Sequence, residues 1–254
     1  MKIGFGLDLA GFSNHKGTVL SSIRAERDLA HVNILRSSPF GTKLNGSFED
    51  RIKRESLSLS ELLRIGKVAV DVPIALQGLP EVKATESWQL TLRPVDKKLK
   101  GLPPLASLLG SCVARFKALL SDEHLGQLGK RLYETYPKAS LVKIFGEKSP
   151  TIKSYKLADI RKRAVVEEAR LRLARDLKIT CSEALSHDEL DSIICAMTSI
   201  ATDDEILSEN EYKLSAGFEL PTGYRILRSN PFAEIRVSRV MYNEGLAMLS
   251  GISP

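Results

Sequence analysis

Residues 67–76 read KVAVDVPIAL, the most apolar extended run in the sequence, and an aspartate stands in its middle. Val68, Val70 and Val72 are β-branched and suit a pleated strand, and Pro73 ends any hydrogen-bonded ladder. A near-continuous apolar run is typical of a central strand covered on both faces, so an α/β sheet is expected around it. Asp71 is out of place there, because an isolated buried carboxylate is costly unless it is paired or metal-bound.

Residues 2–10 repeat the anomaly. Ile3, Phe5, Leu7 and Leu9 alternate with Gly4, Gly6 and Asp8, which predicts a short buried strand with an acid near its carboxyl end. Two more extended runs, around residues 19–23 and 31–35, flank the polar stretch RAERD and suggest a hairpin. A helix is expected next, with Ser60 as a cap or first-turn residue near its end. Residues 77–110 contain Pro80, Pro94, Pro103 and Pro104 and read as an irregular insertion or lid. A helix over about 111–125 and a strand over 131–136, stopped by Pro137, follow.

Residues 156–178 predict one long amphipathic helix with Leu157, Ile160, Ala164, Leu171 and Ala174 on its apolar side. Residues 186–202 predict a second, whose start is marked by the capping box Ser186 with Glu189. Residues 205–254 read as a C-terminal extension with turns at 221–223 and 229–231 and a last short helix. The order is three strands, helix, strand, helix, strand, helix, helix. It predicts one domain over 1–254, with a mixed five-stranded sheet flanked by helices.

The bulk properties narrow the function. Hydrophobic residues make up 43% of the 254 positions and charged residues 27%, values of an ordinary globular chain. Lysine and arginine number 37 against 31 acids, a net charge of +6 that favours an anionic partner such as nucleic acid. The cysteines Cys112, Cys181 and Cys195 form no C-x-x-C pair, which points to a reducing compartment and away from a zinc site. Cys195, in an apolar run, reads as a core residue. No apolar signal region and no membrane-length apolar stretch is present, so a soluble, cytoplasmic protein is expected. A homodimer is left open.

The acids suggest a shared site. Asp188 and Asp191 are three residues apart and share one helix face. If the strands bearing Asp8 and Asp71 are parallel neighbours, both acids meet in the crevice at their carboxyl ends. The later helix could then bring Asp188 and Asp191 over them. Such a cluster suits Mg²⁺ or Mn²⁺, which prefer oxygen ligands. Each acid also has a plainer reading: a turn residue for Asp8, a strand end for Asp71, a first-turn acid for Asp188 and an exposed face for Asp191.

GLDLAG at 6–11, VAVDVPIAL at 68–76, RPVDKKLK at 93–100, YETYP at 133–137, HDELDSIICAMTSI at 187–200 and ELPTGYRI at 219–226 occur in one order. Together they resemble domain-of-unknown-function family 429, whose members are described as predicted nucleases with an RNase H fold. The 188–192 segment is also similar to the last catalytic helix of RuvC-like resolvases, with Ser192 where alanine is usual. In RPVDKKLK, Lys97 stands where the family has arginine. The resemblance implies an RNase H-like fold and a metal-dependent nuclease. It further implies Asp8, Asp71, Asp188 and Asp191 as catalytic metal ligands, and Glu134 as a fifth acid or an arginine partner. His187 could position a water or a phosphate, or simply start the helix.

Among the basic residues, those of 153–178 could track a nucleic-acid backbone or form a solvated helix face paired with Glu167 and Glu168. Arg93, Lys97 and Lys98 are the better phosphate contacts, because they lie in the irregular segment. Trp88 and Tyr136 could stack on bases. Gly4 to Asp8 also resemble the first phosphate loop of actin-like ATPases, but no second phosphate loop and no P-loop follow. The expectation is a Mg²⁺- or Mn²⁺-dependent nuclease or phosphodiesterase acting on DNA or RNA. The alternatives are a non-catalytic RNase H-like binding module and a kinase-like phosphotransferase.

Overall fold

The computed structural model describes residues 1–11, 17–41, 47–75, 92–102, 107–157, 160–214 and 219–250. The chain opens with a meander of β1 (Lys2–Asp8), β2 (Val19–Glu26) and β3 (Leu29–Arg36). Helix α1 (Phe48–Ile65) starts at a capping box between Ser47 and Asp50 and leads into β4 (Lys67–Val70). Ser60 caps nothing; it lies inside α1, and its hydroxyl bonds His124 Nε2 at 2.8 Å. Three helices, α2 (Pro94–Lys98), α3 (Ser107–Leu119) and α4 (Asp122–Leu125), precede β5 (Leu132–Thr135). Helices α5 (Pro137–Phe145), α6 (Pro150–Ser154) and α7 (Arg163–Asp176) lead to β6 (Ile179–Cys181). The chain continues through α8 (His187–Ile200), α9 (Glu209–Tyr212), β7 (Tyr224–Arg225), β8 (Glu234–Met241) and α10 (Tyr242–Ser250).

All these strands join one sheet in the order β6-β8-β3-β2-β1-β4-β5-β7. Strand β2 is antiparallel to both neighbours, and every other pairing is parallel. The architecture is therefore mixed α/β, with eight strands where five were expected. The additional strands are β6, β7 and β8. Strand β8 pairs with β3 along its whole length, so the segment after residue 205 continues the sheet. Its alternation is plain in retrospect: Ile235 and Val237 are buried while Arg236 and Ser238 are exposed.

Two other expectations change. Of residues 77–110, positions 77–91 (with Trp88) and 103–106 lie outside the described residues, but 94–98 and 107–110 are helical. The helix expected over 156–178 begins only at Arg163, after a short 3₁₀ turn at Ile160–Lys162. Its buried stripe is Val166, Ala169 and Leu173, while Leu157 and Leu171 are 39% and 50% exposed. Leu157 and Ile160 precede the α-helix, so they do not set its buried face.

The two faces of the sheet follow from strand alternation. Phe5 and Leu7 of β1 join Val68, Val70 and Leu132 in a core covered by α1, α3 and α10. Gly4 and Gly6 point to the opposite face, where α8 lies on the strand backbone. A Cβ on Gly6 would stand 2.0 Å from the Ser192 carbonyl oxygen, and one on Gly4 would stand 2.0 Å from Ser199 Oγ. Those clashes explain the two glycines. Every α8 residue from Leu190 to Ile200 is buried, and the helix packs with α7 and β8 in a second core. Cys195 is buried beside Ala69 and Tyr133, as expected of a core thiol. Among the described residues, no helix is long and apolar enough to cross a membrane.

Candidate active site

Strands β1 and β4 are parallel neighbours in the register Gly6↔Ala69 and Leu7↔Val70. The next residues are the two aspartates, and the Asp71 N–H donates to the Leu7 carbonyl at 3.0 Å. Asp8 and Asp71 thus stand side by side at the carboxyl ends of adjacent strands, where open α/β sheets hold ligands. Alternation puts Asp8 on the face of Gly4 and Gly6, and Asp71 on the face of Ala69. Helix α8 covers that face and carries the fully buried Asp191. The capping box fixes where α8 begins: Ser186 Oγ accepts from the Glu189 N–H at 3.1 Å.

The acids of this group act on one another. Burial, reinforced by Asp191 and Asp71, pushes Asp8 well above the ordinary carboxylate range, with Lys156 pulling it back. Burial also pushes Asp71 up to about 7, against Lys156 and with Asp191 and Glu134 adding to the rise. Asp191 is raised by burial too, although Lys156 and the Tyr155 hydroxyl favour its charged form. These are the expected responses of like charges sharing a dry site.

The positive charge at the centre comes from Lys156, which the sequence did not single out. Its ammonium forms an ion pair with Asp191 Oδ2. The Tyr155 hydroxyl donates to Asp191 Oδ1 at 3.1 Å. Burial disfavours the Lys156 ammonium, but Asp191, Asp71 and Asp8 more than offset it and hold the group charged. Lys156 lies between α6 and the 3₁₀ turn, at the residue where the sequence predicts a long helix to begin. No residue spacing marks it, because the contact is made entirely by tertiary packing.

Glu134 lines the same crevice but is held by its own set of partners. It stands on β5 in register with Val70, whose side chain faces away from Asp8 and Asp71, yet it is close enough to act on Asp71. Its carboxylate receives Arg93 Nη1 at 2.9 Å and Nη2 at 2.5 Å, and the Ile74 N–H at 2.7 Å. Arg93 also donates Nε and Nη2 to Asp96, at 2.8 and 2.7 Å, and Nη1 to the Ala75 carbonyl at 2.7 Å. All five guanidinium N–H groups are thereby engaged. Burial works against the Arg93 charge, but Asp96 and Glu134 hold it firmly in place. The Arg93 guanidinium also lies 5.8 Å from the Tyr224 ring. Arg93 is therefore a buried bridge between α2 and β5 with no donor left for a phosphate, and Glu134 is its partner.

Asp188 stands at the edge of the cluster. It is the weakest of the groups acting on Asp8, and its Oδ1 is 3.1 Å from His187 Nδ1. Lys97 is exposed on α2 and does not line the crevice. The crevice encloses about 430 Å³ beside Asp8, Asp71 and Lys156, and the cations Lys100 and Lys138 also line it.

No family model, curated protein or solved structure matches the chain. The resemblance described above therefore rests on its motifs alone. The fit of a metal has to be read from the donors. The half-buried Asp8 and Asp71 with the fully buried Asp191 offer an all-oxygen set of the kind that Mg²⁺ and Mn²⁺ prefer. Among the described residues, no three acidic, histidine or cysteine side chains are already grouped as a metal cage. Lys156 provides the charge balance instead. The oxygen donors are of the type a hard divalent cation takes, but among the described residues they are not gathered around one point.

Proposed function

We propose that the protein is a nuclease or phosphodiesterase dependent on Mg²⁺ or Mn²⁺, built on an RNase H-like core. The observation that carries this reading is the placement of Asp8 and Asp71 on adjacent parallel strands, beneath Asp191 of α8. The inner strands β3-β2-β1-β4-β5 support it as well: an antiparallel meander followed by parallel crossovers is the layout expected of such a core. The resemblance to the family of predicted nucleases supports it from the motifs.

Asp8, Asp71 and Asp191 would hold the cation, with Asp188 at the rim. A bound divalent ion at such a site lowers the pKa of water and stabilises the leaving oxygen of a phosphodiester. The chain's own residues prepare that chemistry. Tyr155 fixes Asp191 through one oxygen. Lys156 balances the acids while no cation is held, and its side chain, 37% exposed, has room to move from Asp191 toward a phosphate. Lys100 and Lys138 draw a phosphate to the mouth of the crevice. The Arg93–Glu134 bridge holds the walls together.

A second reading has one observation in its favour. The Lys156–Asp191 pair already neutralises part of the cluster, as in a binding module whose acids are structural. Cleavage separates the two. Purified protein is incubated with single-stranded, double-stranded and branched DNA and RNA in Mg²⁺ or Mn²⁺, and Asp8→Asn is run alongside. Metal-dependent cutting lost in the variant is the expected result. No cutting on the whole panel, or equal cutting by Asp8→Asn, counts for the binding module.

A further inference from the structure

A second groove, of about 550 Å³, adjoins the acidic crevice and shares Lys100, Tyr136 and Lys138 with it. Its lysines come from separate elements: Lys98 from α2, Lys100 from the turn after it, Lys138 and Lys143 from α5, and Lys153 from α6. Two acids, Glu147 and Glu211, also line it, and both are already neutralised. Glu147 pairs with Lys100, and Glu211 pairs with Arg228 at 2.5 Å. Lys98, Lys138, Lys143 and Lys153 are exposed and make no ion pair among the described residues.

The contrast with α7 is instructive. There Arg163 pairs with Glu167 and Arg172 with Glu168, each one turn along the helix, so those cations form a self-balanced surface. The groove gathers like charges from three helices and leaves them unbalanced, an arrangement that favours an anionic occupant. Its floor is apolar, with Leu99, Val142 and Ile152, and the half-buried Tyr136 ring stands where groove and crevice meet.

We propose that this groove is a track for single-stranded nucleic acid leading into the carboxylate crevice. Lysines that follow a backbone and an aromatic or apolar surface for unpaired bases are the two components of sequence-independent single-strand binding. A duplex keeps its bases stacked inside and would leave the apolar floor unused. The direction of the track rests on the nuclease reading; the binding itself does not.

The test is fluorescence anisotropy of short labelled thymidine and uridine oligonucleotides in EDTA, which suppresses metal-dependent cutting. Wild type is expected to bind single strands about tenfold or more tightly than a duplex of matched length. The combined variant Lys138→Gln, Lys143→Gln and Lys153→Gln is expected to weaken binding by about tenfold. It should also flatten the slope of log affinity against log salt by about 2, since each lost phosphate contact removes about 0.7 for single strands. Arg163→Gln with Arg172→Gln should change neither quantity. Failure of wild type to bind, equal or tighter duplex binding, an unaffected triple variant, or an equal loss in the α7 variant would each overturn the track. Groove-dependent binding in a protein that cuts nothing with Mn²⁺ would uphold the track and end the nuclease reading. Cutting that survives the triple variant with unchanged oligonucleotide affinity would do the reverse.

Discussion

Lys156, from the turn after α6, forms an ion pair with the buried Asp191 on α8, and so places a cation beside Asp8 and Asp71 as well. A lysine and a divalent ion would compete for the same carboxylates. Lys156→Met is therefore expected to melt lower than wild type in EDTA. Because the lysine side chain is 37% exposed, the loss is about 1–3 kcal/mol, below that of a fully buried pair. The stabilisation gained on adding Mn²⁺ should be larger in the variant. Thermal melts with and without Mn²⁺ read both effects. A variant with wild-type melting in EDTA, or with a smaller Mn²⁺ shift, would show that Lys156 is not holding the site.

Stability without metal should depend on pH in an unusual direction. Asp8 is pushed well up, and Asp71 to about 7, by burial and neighbouring acids. The folded state therefore binds more protons than the unfolded one between about 3.9 and 7. Their stabilising contribution is complete below the unfolded value and is lost as pH rises through the folded one. Melting temperature in EDTA should fall from pH 5.5 to 8, by about 2–4 °C for each kcal/mol lost. Asp71→Asn should flatten that slope. A slope that rises over this range, or is unchanged in Asp71→Asn, contradicts the clustered arrangement.

Gly6→Ala should damage the site without touching an acid. The added Cβ would meet the Ser192 carbonyl at 2.0 Å and the Ala196 nitrogen at 2.2 Å, both helix backbone atoms that cannot rotate away. Overpacking of this kind costs about 1–3 kcal/mol or more. Displacement of α8 would also carry Asp191 off Asp8. A lower melting temperature together with a reduced Mn²⁺ shift is expected. Wild-type values for both would mean that α8 does not rest on β1 as described.

The elements that carry the acids were legible because their sequences break a pattern. Asp8 and Asp71 interrupt apolar strands, and Ser186 with Glu189 announces the start of α8. Strand β8 was overlooked because its alternation includes Arg236 and Arg239 and follows strong turn signals. The face of α7 differs from the expected one because Leu157 and Ile160, which anchor the expected stripe, precede the helix, and Val166, Ala169 and Leu173 face the core. Lys156 is illegible for a different reason, and so is the identity of Arg93 as partner of Glu134, although the resemblance implies an arginine partner there. Each joins segments distant in sequence, and the face on which Glu134 emerges is set by the β4–β5 register, which no local spacing encodes.

The bridge gives a prediction that separates structure from chemistry. Arg93 and Glu134 have side chains 1% and 2% exposed, and removing one partner of such a pair costs about 3–5 kcal/mol. Arg93→Ala, which strands both Glu134 and Asp96, should lose that much in urea denaturation. Glu134→Gln should lose less, since the amide still accepts from Arg93 and Ile74, and it should keep the Mn²⁺ stabilisation. Loss of the Mn²⁺ effect in a well-folded Glu134→Gln would return Glu134 to the metal ligands.

The most direct measurement is a calorimetric titration of metal-free protein with Mn²⁺. Wild type should take up the ion. Asp8→Asn, Asp71→Asn and Asp191→Asn should remain folded and bind on the order of tenfold or more weakly, since even groups that only support metal ligands cost about 10–100-fold when changed. Glu134→Gln should bind as wild type does. No uptake by wild type, or asparagine variants that bind Mn²⁺ as tightly as wild type, would contradict a metal site at Asp8, Asp71 and Asp191.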